Sequence, residues 1–68
     1  MMTATERKML DCIVEDYCGI ADCLNLEMEL GWRKPKVMRV ARTLVRLGVL
    51  KVVSNSGDYS GRIWEVVK

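Results

Sequence analysis

The sequence predicts an α+β domain: three helices with a short strand between the first two, closed by a C-terminal β-hairpin. Three observations carry that prediction. Between Leu30 and Leu50, apolar residues recur at steps of three and four (Val37, Val40 or Ala41, Leu44, Leu47) between glycines 31 and 48, the pattern of an amphipathic helix. A similar spacing, Leu10, Ile13, Val14 and Tyr17, stands near the N-terminus. After Gly48 the pattern changes to two β-branched runs, Val49–Ser54 and Arg62–Val67, on either side of the turn-rich segment Asn55–Gly61.

Taken in order, Thr3 or Thr5 can cap helix 1, and Thr3-x-x-Glu6 has the form of a capping box. Leu10, Ile13, Val14 and Tyr17 form its expected inner face, with Asp11, Glu15 and Asp16 in solvent, and the helix is expected to end near Tyr17 with Gly19 as the break. Ile20 and Ala21 read as a brief strand because Asp22 has the character of an N-cap for helix 2, residues 23–30. Cys23, Leu26 and Leu30 of that helix point inward. Leu24 and Met28 make a second stripe, expected in so short a helix to reach the core; the alternative is an exposed apolar patch that meets a partner or a second copy. Gly31 ends helix 2, and Trp32 in the following turn is expected to plug a corner of the core.

Pro35 suits the first turn of helix 3, where its missing N–H costs nothing. Gly48 is expected to stop that helix in a left-handed cap. In the last strand Trp64 and Val66 share one face, while Ile63, Glu65 and Val67 take the other. No internal repeat, low-complexity tract or linker interrupts the pattern.

Sixty-eight residues correspond to one domain, residues 1–68, with a small core. Half the residues are hydrophobic, yet no run approaches the roughly 20 apolar residues of a membrane span. The start, MMTATERKML, lacks the order of a secretory signal, so a soluble, cytoplasmic protein is expected. Cys12, Cys18 and Cys23 are odd in number, without CxxC spacing and without any histidine. They read as reduced, buried or half-buried thiols and not as a disulfide framework or a metal site.

The net charge is only +2, but its distribution is uneven. Residues 1–30 hold two cations against seven acids, and residues 31–68 hold nine cations against two acids. Such a dipole can orient the molecule on a polyanion. Six of the cations, Arg33, Lys34, Lys36, Arg39, Arg42 and Arg46, fall in one stretch with no intervening acid. Surface helices built for solubility usually mix signs, because Glu–Lys pairs four apart are stabilising. Catalysis finds no support. There is no histidine, no nucleophile paired with a base, no phosphate-cradling glycine loop and no placed carboxylate pair; Glu15 and Asp16 diverge on a helix. No cofactor or small-molecule substrate is indicated.

A short helix, a Gly-containing turn and a second helix with a cationic outer face make a helix-turn-helix. With the hairpin after it, the chain resembles the winged helix-turn-helix superfamily over almost its whole length. The residues carrying the likeness are Leu30-Gly31, Val37, Leu44, Gly48-Val49-Leu50 and Trp64-Glu65-Val66. At this size it resembles the small stand-alone regulators of bacteria and phages. The Z-DNA-binding branch shares the Trp-x-apolar close of the wing. That branch, however, has an Asn and a Tyr where Met38 and Arg42 stand here, and wing prolines that this chain lacks.

The resemblance implies a transcriptional regulator of double-stranded DNA, with helix 3 in the major groove and the hairpin, or wing, along the backbone. Carried over residue by residue, the groove-facing candidates are Arg33, Lys34, Lys36, Met38, Arg39, Arg42, Thr43 and Arg46. Arg62 at the root of the wing would reach a phosphate, with Asn55, Ser56, Tyr59 and Ser60 as helpers. Arg39 is the candidate for a bidentate contact to guanine, while Lys34, Lys36 and Arg46 suit phosphate. A module of this size covers only about 600–1,000 Å² of protein surface on DNA. A homodimer, adjacent copies or a larger protein partner is therefore expected, with Leu24, Met28, Met9 and Cys12 as candidate contacts. The alternative function is a winged-helix protein adaptor that modulates a larger DNA-bound complex or a host enzyme.

Overall fold

The computed structural model describes residues 2–54 and 62–67. The chain runs α1 (Ala4–Asp16), β1 (Ile20–Asp22), α2 (Cys23–Leu30), α3 (Lys34–Arg46), β2 (Leu50–Ser54) and β3 (Ile63–Val66). Local chemistry sets most of these boundaries. Thr3 Oγ1 accepts from the Glu6 amide at 3.2 Å while Glu6 Oε1 accepts from the Thr3 amide at 2.9 Å, the reciprocal capping box. Asp22 caps α2 by accepting from the Asn25 amide at 2.8 Å.

Gly31 (φ 70°) and Gly48 (φ 83°) hold the left-handed positions that end α2 and α3. At the end of α3 the Gly48 amide donates to the Val45 carbonyl and the Val49 amide to the Leu44 carbonyl, the two bonds of a Schellman motif. Helix α1 ends differently from expectation in one respect: Cys18 itself takes φ 56° ahead of Gly19.

The three strands form an antiparallel sheet in the order β1-β3-β2. Trp64 in the central strand stands opposite Ala21 on one side and Val52 on the other; Glu65 stands opposite Ile20 and Lys51. A register shift between Val52 and Ser54 interrupts the ladder of β2 with β3. Trp64 and Val66 face the helices, as the alternation predicts, with Trp64 2% exposed and Val66 half-buried against the core. Met9, Ile13, Leu26, Val37, Leu44 and Leu50 complete the centre of that core, and no described polar side chain is buried in it.

Four expectations about faces are corrected. The inner face of α1 is Met9, Cys12 and Ile13, whereas Leu10 and Tyr17 are half-buried and Val14 is 48% exposed. Helix α1 packs against α2, α3 and the sheet together, and that three-sided seat selects the stripe around Ile13 that lies away from Val14. Met9 and Cys12 are thereby removed from any partner surface. Leu47 is exposed because it is the C-cap of α3, where the chain already turns away from the core. Leu24 and Met28 do not reach the core. They are 46% and 75% exposed, since the eight residues of α2 seat only the Cys23–Leu26–Leu30 stripe. Cys18 is an exposed thiol, while Cys12 and Cys23 are buried as expected.

Candidate nucleic-acid interface

Helices α2 and α3 are joined by the three residues Gly31, Trp32 and Arg33, so the second helix leaves the first through a tight corner. Trp32 is half-buried and packs against the core at that corner, as expected. It also holds a partner that its position predicts in retrospect: Lys36, four residues on, places its Nζ 4.6 Å from the centre of the indole ring. Arg33 is the N-cap of α3 and makes no side-chain cap bond.

Val37, Val40, Ala41 and Leu44 of α3 are buried. At about 100° per residue, Arg39, Arg42 and Arg46 fall within about 60° of one another on the side opposite that stripe. All three are exposed. Met38 and Thr43 flank this row and are half-buried; Lys34 and Lys36 flank it on either side near the helix start, Lys34 exposed and Lys36 half-buried. Thr43 donates its hydroxyl hydrogen to the Arg39 carbonyl at 3.2 Å.

Among the described residues the one ion pair is Lys51–Glu65, at 3.5 Å on the sheet. None of Arg33, Lys34, Arg39, Arg42 and Arg46 is neutralised by a described carboxylate. The acids gather elsewhere. Asp11, Glu15, Asp16 and Glu29, with Lys8, line a cleft of about 240 Å³ between α1 and α2. The uneven charge of the sequence thus becomes two separate surfaces. In that acidic setting the buried thiol of Cys12 is pushed up to about 11, by burial first and then by Asp16. Cys23 rises likewise to about 11, by burial and by its contact with Glu27.

Arg62 lies just before β3 and is half-buried, and its carbonyl accepts from the Cys23 amide at 3.1 Å. That bond fixes the root of the wing to the start of α2. Tyr59, Asn55, Ser56 and Ser60 lie outside the described residues.

No family model and no curated protein sequence matches the chain. Among solved structures, the chain is similar to a mutant of MarR from E. coli crystallised in complex with operator DNA. The TM-score is 0.80 at 21% identity, covering 98% of this chain and 46% of that one. The chain therefore spans about half the length of that protein. The likeness is one of fold, and the fold is the winged helix-turn-helix: three helices and a three-stranded antiparallel sheet, in the order the sequence predicts.

Proposed function

We propose that the chain is a DNA-binding transcriptional regulator that inserts α3 into the major groove of duplex DNA and lays the wing along the backbone. The observation that carries this reading is the row Arg39–Arg42–Arg46. It is exposed, unpaired among the described residues, and aimed away from the core by the second helix of a helix-turn-helix. An α-helix of about 10–12 Å diameter fits a groove about 12 Å wide. Arg33, Lys34 and Arg46 suit phosphates at either end of α3, with Arg62 doing so from the wing; such contacts place the protein, while base contacts give it a preference. Lys36 sits on Trp32, which holds it at the flank of the helix.

The solved MarR complex contains operator DNA, which supports the same class of ligand for this fold. We read the chain as a binding module of the cytoplasm and not as an enzyme. No helix among the described residues is long and apolar enough to cross a membrane. The small footprint calls for a homodimer, neighbouring copies or a larger protein.

Titration of labelled duplex DNA at low salt tests the reading. Arg39→Ala, Arg42→Ala and Arg46→Ala combined should abolish binding while the circular dichroism spectrum is kept. Undiminished affinity in that triple variant refutes the interface. The exposed pair Leu24 and Met28 favours a second reading, a protein-binding adaptor. Its mark would be no affinity for duplex DNA together with capture of a partner that Met28→Ser abolishes.

A further inference from the structure

Resting on the reading of α3 as a major-groove element, we propose that its preferred duplex carries guanines at two neighbouring base pairs, read by Arg39 and Arg42. The thirteen residues of α3 include no Asn, Gln, Asp or Glu. The helix therefore lacks the side-chain amides that pair donor and acceptor with adenine and the carboxylates that accept from the cytosine amino group. What its outer row offers is guanidinium, five donors and no acceptor.

The four base edges answer that fork differently. Guanine presents two acceptors, O6 and N7. Adenine sets an amino donor beside its N7, cytosine shows only a donor, and thymine shows one acceptor and a methyl group. A fork made of donors alone is matched on both prongs by guanine only. The forks of Arg39 and Arg42 are exposed and not engaged by any described carboxylate.

The spacing sets how far apart the two guanines lie. Three residues of helix advance about 4.5 Å. Stacked bases advance about 3.4 Å per step along a strand, so the two forks address pairs about one step apart. Arg46, a full turn further on, sits where the helix leaves the groove and faces phosphate, consistent with base reading from the earlier part of such helices. Thr43 completes the pattern. Its hydroxyl hydrogen is engaged by the Arg39 carbonyl, so the oxygen turns only an acceptor outward, which suits the amino group of the cytosine paired with a guanine. Met38 on the other flank adds apolar surface without a hydrogen bond.

Fluorescence anisotropy with four short duplexes of equal length tests the assignment: one with a central guanine doublet in an A·T background, one of A·T pairs only, and two copies of the first. In one copy 7-deazaguanine replaces guanine and removes N7. In the other, inosine replaces it and keeps O6 and N7 while removing the minor-groove amino group. The doublet should bind at least about tenfold more tightly than the A·T duplex, since each bidentate pair discriminates by roughly 5- to 150-fold. The inosine copy should match the doublet and the 7-deaza copy should fall toward the A·T duplex. Arg39→Gln, at an exposed position, should shift the preference at one of the two pairs toward adenine. Equal, salt-sensitive binding to all four duplexes overturns the guanine assignment and leaves DNA binding standing. Loss with inosine but not with 7-deazaguanine places the readout in the minor groove and overturns it too. No binding to any of them at low salt overturns both the assignment and the function beneath it.

Discussion

Removing phosphate contacts should flatten the salt dependence of binding by a predictable amount. Arg33, Lys34 and Arg46 are exposed and unpaired among the described residues at the ends of α3, and Arg62 stands at the wing root. On the proposed reading, with Arg39 and Arg42 on bases, these four would be the phosphate contacts. Each contact contributes about −0.9 to the slope of log affinity against log salt, so four give about −3.6. Raising salt from about 50 to 200 mM should then weaken binding about 150-fold. The double variant Lys34→Ala, Arg46→Ala leaves two contacts and a slope of about −1.8, and the same salt step should cost only about 12-fold. Anisotropy titrations at four salt concentrations measure both slopes directly. A wild-type slope near zero would mean that no phosphate is neutralised. An unchanged slope in the double variant would mean that the ends of α3 do not touch the backbone.

Two further outcomes follow from the core and the thiols. Trp64→Ala removes the largest fully buried side chain, between Ala21 and Val52, and should cost about 3–5 kcal/mol in urea unfolding, much of the stability of so small a domain; a loss under about 1 kcal/mol would contradict the central place of β3. Cys12 and Cys23 keep their protons up to about 11 when folded, against an ordinary thiol value of 9.0. The unfolded chain therefore releases those protons first, and the thermal midpoint should hold below about pH 9 and fall between about pH 9 and 11. A midpoint that rises across that window would contradict the burial of both thiols.

Much of this architecture is legible locally. The capping box at Thr3 and Glu6, the Asp22 cap, the glycines at 31 and 48 and the inner face of α3 from Val37 to Leu44 each depend on a handful of neighbouring residues, and all appear in the fold. What the sequence leaves open depends on distant partners. Both Met9–Cys12–Ile13 and Leu10–Ile13–Val14–Tyr17 are valid helical stripes, and only the seat between α2, α3 and the sheet chooses between them. The pairing of β1 with β3 joins residues more than forty positions apart, and a three-residue strand carries no signal for it. For the site, the arginine row follows from spacing alone. The Trp32–Lys36 contact is also written in the spacing, four residues across a helix start, but counting cations obscures it because it treats all six as equivalent.

The outer face of α3 makes little sense as a contribution to stability. Arg39 and Arg42 stand three apart and Arg42 and Arg46 four apart, and like charges at those spacings destabilise a helix by about 0.2–0.5 kcal/mol per pair. Arg33 and Lys34 crowd the positive end of the helix dipole, with no acid in the first turn and no side-chain cap to offset them. The inner face tolerates this, because burying Val37, Val40 and Leu44 contributes about 1.5–3 kcal/mol each, several times the repulsion. A helix anchored so firmly on one side can carry charge on the other that would unravel it in isolation. Beside a row of phosphates the same repulsion is relieved and the same dipole end becomes attractive. On the proposed reading, the charges that oppose folding in the free chain are those that would favour the complex with DNA, and the division of α3 into an anchoring side and a reading side would let one short helix do both.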